Sequence, residues 1–137
     1  MYNDKVINTF KELKNVGALQ GANGVGKVGN AACGDIMKVY LKISTEGIIE
    51  DAKFKTFGCV AAIASTSIAT EMIKGKTIQQ ALEIKNSDIV EKLGGLPAQK
   101  IHCSVMAEEA IRAAIEDYYK RIEKQQKNQD VFEDDEI

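Results

Sequence analysis

Apolar and polar positions alternate over residues 36–43, with Met37, Val39, Leu41 and Ile43 opposed to Lys38, Tyr40 and Lys42. Period two is the signature of a half-buried strand. The turn residues STEG follow, and residues 49–57 alternate again, with Ala52 and Phe54 opposed to Asp51, Lys53 and Lys55. Two such runs around a short turn predict an antiparallel hairpin. Elsewhere the period lengthens. Val6, Ile7, Phe10 and Leu13 predict an amphipathic helix over 3–14, with Asn3 as its N-cap. Residues 60–74 are apolar on nearly every side, which predicts a buried helix stopped by Gly75. Thr77 is placed to cap a short helix over 78–84. Another helix starts at Asn86, Ser87 or Asp88 and ends at Gly94-Gly95, and after Pro97 a long one runs from about Ser104 to Ile122.

Residues 15–34 show neither period. They hold six of the eleven glycines and predict a flexible loop or an irregular edge strand. Gly24, Gly26 and Gly29 match the dinucleotide fingerprint G-x-G-x-x-G. That motif works only between a strand and a helix whose N-terminus meets pyrophosphate. Here a strand follows it instead, so nucleotide binding is set aside.

Composition narrows the class. The 137 residues are 45% apolar and 28% charged, which fits one globular domain. The net charge of −2 offers no basic field for nucleic acid. Residues 123–137 contain six acids and two lysines, so they read as an acidic, disordered tail behind a domain over 1–122. No apolar run reaches membrane-spanning length, and the first ten residues lack a secretory core, so a cytoplasmic location is expected with no membrane partner.

The candidate chemistry lies in three cysteines and a single histidine. Cys33 ends the glycine-rich stretch, Cys59 lies between a strand and a helix start, and Cys103 follows His102 at another helix start. Cysteines serving only as small core hydrophobes need not all fall at element junctions. Helix N-termini favour thiolates, and Lys100 adds to that, so lowered pKa values are expected at Cys59 and Cys103. Three thiolates and an imidazole suit zinc or an iron–sulfur cluster, not magnesium or calcium. Asp35 adds a carboxylate two residues after Cys33. Only His102 and Cys103 are neighbours, so the fold has to gather the others. A thiol enzyme with Cys103 as nucleophile and His102 as base is disfavoured, because sequence neighbours seldom reach that geometry.

The runs ACGDIMKV, GIIEDAKFKTFGC, AIAS, IKGK, IKNSDI and KIHCS-x-MAEEAI-x-AAI-x-DY resemble the IscU/NifU-type scaffolds of iron–sulfur cluster assembly, over about residues 2–122. The resemblance implies an α+β fold: a small three-stranded antiparallel sheet with helices packed on it and a long C-terminal helix. The third strand would come from Val25–Asn30. It implies a scaffold and carrier, not an enzyme. Sulfur would come as persulfide from a pyridoxal-phosphate cysteine desulfurase, iron would join it, and a transient 2Fe-2S cluster would pass to apoproteins. Cys33, Cys59 and Cys103 would be ligands, His102 a fourth or alternative ligand, and Asp35 a group near the cluster that promotes release. Cys103 would be the leading sulfur acceptor, with Cys33 the alternative. A ferredoxin or an iron donor would be further partners, and the chain would act as monomer or dimer.

Three departures and one agreement mark the chain. Leu96-Pro97-Ala98-Gln99-Lys100 keeps Leu, Pro and Lys but not the middle pair of the Leu-Pro-Pro-Val-Lys stretch that a dedicated chaperone grips in many members, which leaves that partnership in doubt. Val60-Ala61 stands where Gly-Ser is common, and the glycine-rich stretch replaces a more polar one. His102 separates the chain from SufU-type relatives, which lack that histidine. The competing reading is a zinc-binding sulfur acceptor that stimulates a desulfurase without building clusters; the same donors would hold zinc in the cluster-free form.

Overall fold

The computed structural model describes residues 2–30 and 34–131. The elements run α1 (Asp4–Lys11), β1 (Gly24–Asn30), β2 (Asp35–Ile43), β3 (Ile49–Phe57), α2 (Val60–Ile73), α3 (Ile78–Leu82), α4 (Asn86–Lys92), one 3₁₀ turn (Ala98–Lys100) and α5 (Ile101–Val131). The three strands form one antiparallel sheet in the order β1-β2-β3, so the α+β expectation holds.

The hairpin has the faces its alternation predicts. Met37, Val39, Leu41, Ala52 and Phe54 are buried against α2 and α5, which form the second layer of the core. The other face is basic. Lys27, Lys38 and Lys55 stand opposite one another across the three strands, beside the exposed pair Ile36 and Phe57.

The capping residues also behave as read. Asn3 accepts from the Val6 N–H at 2.9 Å, and Thr77 and Gln80 form a reciprocal capping box. Gly75 takes φ +80° just past α2.

The glycine-rich stretch is a strand from Gly24 to Asn30, matching the third strand that the resemblance implies. The absence of side chains has a physical cause. A Cβ on Gly24 would overlap the Ala114 carbonyl oxygen, and one on Gly26 would overlap backbone atoms of Ala110 and Ala114. These glycines let β1 lie directly against α5. The Val25 N–H closes the seam with α5 by donating to Asp117 Oδ2 at 2.9 Å, while Asn23, just before β1, ties the strand to the end of β2 through a side-chain amide that pairs with both backbone groups of Ile43 at 2.8 Å.

Helix α5 is longer than the period predicts at both ends. It begins at Ile101, because the 3₁₀ turn after Pro97 feeds straight into it, and continues to Val131. It therefore runs into the segment expected as tail, of which residues 132–137 lie outside the described residues. Among the described residues, no helix is long and apolar enough to cross a membrane.

Candidate functional site

Three chain segments meet at one end of the sheet. Gly34, at φ +75°, turns the chain into β2 and is followed by Asp35, which is buried. Strand β3 ends at Phe57, and Gly58 leads to Cys59, the N-cap residue of α2. The first turn of α5 supplies His102 and Cys103.

The donor atoms converge. Cys103 Sγ lies 3.6 Å from Cys59 Sγ, 3.6 Å from His102 Nε2 and 3.8 Å from Asp35 Oδ2. His102 Nε2 is 3.9 Å from Asp35 Oδ2. Ligand atoms of Asp35, His102 and Cys103 all lie within 4.8 Å of one another, and Cys59 joins this group through Cys103. Donors at 2.0–2.3 Å from one tetrahedral ion stand about 3.3–3.8 Å apart. The observed spacings are close to that, so the group can hold a metal ion with little rearrangement. The fold thus brings together four of the five residues expected at the site. The fifth, Cys33, lies outside the described residues.

The two described thiols differ sharply. The Cys59 sulfur makes no capping bond to α2, and the residue is half-buried beside a surface pocket of about 510 Å³. That pocket is also lined by Asp35, Thr56, Phe57, Gly58 and Lys100. Cys103 is fully buried and belongs to the hydrophobic core. Its pKa is raised, first by burial, then by the hydrogen bond and charge of Cys59, with Asp35 adding to it; Lys100 pulls the other way and loses. The direction at Cys103 is therefore the reverse of the lowered pKa expected. Apolar surroundings outweigh the helix N-terminus here, and part of the small-hydrophobe reading applies to this cysteine after all.

Some residues at the site escaped the sequence reading. Gly58 is one: a Cβ there would strike the Asp35 carboxyl group, so glycine is what lets that side chain tuck under the loop. Tyr2 is another. Burial raises its pKa and so does the Cys59 charge, while a hydrogen bond from the Ala61 backbone lowers it. Lys100 is drawn upward chiefly by Cys59 and Tyr2. The signal for Gly58 was legible in principle, as a glycine between a strand end and a buried helix. Nothing in the periodicity pointed to Tyr2.

Residues 1–125 match the family model described as the NifU-like N terminal domain. The chain belongs to that family. It is 54% identical over 121 residues to an iron–sulfur cluster assembly scaffold protein IscU of Archaeoglobus fulgidus, covering 88% of this chain and 78% of that one. Against the IscU scaffold protein of Aquifex aeolicus it is 50% identical over 139 residues, covering 98% and 88%. Among solved structures, the SufU protein of Fervidobacterium islandicum superposes with a TM-score of 0.70 at 25% identity, covering 82% of this chain and 95% of that one. The fold is common to these members of the family, while high sequence identity is found with the IscU proteins.

Proposed function

We propose that this protein is a scaffold on which iron–sulfur clusters are assembled and then handed on. The observation that carries the reading is the group of Asp35, His102 and Cys103 donors at 3.6–3.9 Å, with Cys59 Sγ 3.6 Å from Cys103 Sγ, in a chain half identical to named IscU scaffolds.

Iron and sulfide are the cargo. Cys59 and Cys103 act as thiolate ligands, with Cys33, two residues before Asp35, as the third. Metal binding displaces the Cys103 proton against the raised pKa, which makes binding release protons and depend on pH. His102 is the fourth or alternative ligand. Asp35 is a hard, exchangeable donor that weakens the hold on the cargo and so favours release. A cysteine desulfurase supplies sulfur, a ferredoxin or iron donor supplies the rest, and apoproteins receive a 2Fe-2S cluster. The protein works in the cytoplasm as a platform and not as an enzyme.

Anaerobic incubation with iron, cysteine and a desulfurase tests this. Visible cluster absorption should appear and then move to an apo-ferredoxin. Asp35→Ala should slow that transfer; faster transfer would remove the role given to Asp35. The close spacing of Asp35, His102 and Cys103 also supports a second reading, a zinc-binding sulfur acceptor, with zinc held in the cluster-free form. Persulfide formation without any cluster would favour it.

A further inference from the structure

Strand β3 sets Ala52 and Phe54 into the core, and the same period puts Thr56, paired with Met37, on that inner face just before the site. An apolar β-branched residue would complete the series. Threonine has the shape of valine with a hydroxyl in place of one methyl, and a buried hydroxyl needs a partner. Thr56 Oγ1 is closed to solvent and meets no hydrogen-bond partner among the described residues.

Other buried hydroxyls show how unusual this is. Thr66 donates to the Ala62 carbonyl oxygen at 2.8 Å, Thr70 to that of Thr66 at 2.9 Å, and Ser67 to that of Lys14 at 3.3 Å. Among the described residues, only Ser65 shares the lack of a partner. Ser65 lies within α2, where a changed rotamer reaches the carbonyl oxygen one turn back. A strand offers Thr56 no such carbonyl. What Thr56 borders is the pocket that it forms with Asp35, Gly58, Cys59 and Lys100.

We propose that Thr56 is a cargo-binding residue, whose hydroxyl donates a hydrogen bond to the sulfide of a cluster held in this pocket. The inference rests on the scaffold reading for the presence of sulfide. Methyl and hydroxyl are close in size, so a turn about the Cα–Cβ bond carries the O–H to the pocket wall with little change in packing. A sulfide bound to iron is an anion with free lone pairs, and it accepts where neither the core nor the sheet does. The unmet donor costs the fold stability. The same donor holds the cargo, and a hydrogen bond to cluster sulfur raises the reduction potential. Thr56 therefore slows cluster loss, in opposition to the release that Asp35 favours.

The test uses the full-length chain, loaded under argon with ferric iron and sodium sulfide, so that no desulfurase enters. Cluster loss to a chelator is followed by visible absorption, and the potential by redox titration. Thr56→Val without cargo should unfold at a higher urea concentration than the wild type. Loaded, it should lose its cluster roughly tenfold faster and show a lower potential. Thr56→Ser should restore both cluster readings. Zinc affinity by calorimetry should be unchanged in Thr56→Val, because no sulfide is present. Ser65→Ala should keep the wild-type rate of cluster loss and potential. Thr56→Ala removes the same donor if valine prevents folding.

A valine variant with the wild-type cluster lifetime and potential overturns the proposal. So does one that loses zinc affinity as much as cluster lifetime, which would make Thr56 a packing residue of the site. A wild type that takes up no cluster from iron and sulfide defeats the scaffold reading, and this assignment with it. A stable wild-type cluster beside an unaffected Thr56→Val defeats this assignment alone.

Discussion

The starts of α2 and α5 look alike in sequence and differ in chemistry. Each places a cysteine at or near a helix N-terminus, after a loop and before an apolar run. At α2 the thiol of Cys59 sits on the N-cap residue, uses no capping bond, and faces a pocket. At α5 the preceding 3₁₀ turn moves the helix start forward, so Cys103 falls in the first turn and faces the core. A helix N-terminus favours a thiolate by amounts on the order of 1 kcal/mol, and full burial can cost several times that. The address along the chain therefore says where a thiol is, while its depth decides what it does.

That contrast can be broken by substitution. Gly26→Ala should cost about 3 kcal/mol, because the added methyl overlaps the α5 backbone and no flexible side chain can yield. Lifting α5 from the sheet should also expose Cys103, so its labelling rate in this variant should approach that of Cys59; a stable variant with Cys103 still protected would refute the seam. In the wild type without metal at neutral pH, maleimide should modify Cys59 roughly a hundredfold faster than Cys103, read by peptide mass spectrometry. Equal rates would erase the difference between the two helix starts. Gly58→Ala acts on the other side of the site. Displacing the Asp35 carboxyl group should cost about 1–2 kcal/mol in urea unfolding and weaken zinc binding by calorimetry. An unchanged affinity would show that Asp35 need not lie under the loop.

Alkaline titration sharpens the same point. The folded protein holds the Cys103 proton more tightly than the unfolded chain, whose cysteine ionises near its ordinary value of about 9.0. Stability from this group is therefore complete below that pH and is lost as pH rises above it, by at most about 1.4 kcal/mol per pH unit. Urea midpoints of metal-free protein at rising pH should show the decline, and Cys103→Ala should flatten it. The smallest effect concerns the lysine row on the outer sheet face. Salt should stabilise the protein by about 0.5 kcal/mol through screening of Lys27, Lys38 and Lys55, and Lys38→Gln should remove most of that gain.

The hairpin, its buried face and the caps at Asn3 and Thr77 were readable because side chains carry those signals directly. Strand β1 was not readable from periodicity. Its alternation consists of Gly24 and Gly26 on the inner face, where the partner is helix backbone and a side chain has no room. The missing signal and the tight packing share one cause. The G-x-G-x-x-G match has the same origin, since glycine serves close approach to a helix as readily as to a phosphate. At the site, residue types suggested candidate donors, and the fold sets Asp35, His102 and Cys103 beside one another with Cys59 against Cys103, at 3.6–3.9 Å. Depth was invisible. Nothing in KIHCSV distinguishes a cysteine turned to solvent from one turned to Met106 and Ala107 in the core, because that depends on how α5 rotates against the sheet.

A strand and a helix that touch through bare backbone leave no compliant layer between them. Ordinary packed elements accommodate small slips by rotamer changes, but here there are no rotamers to change over Gly24 and Gly26. Any rearrangement that widens the mouth around Asp35 and Cys103 has to carry β1 and α5 together as one rigid unit, so that the ends of the chain's longest helix and its barest strand move in step.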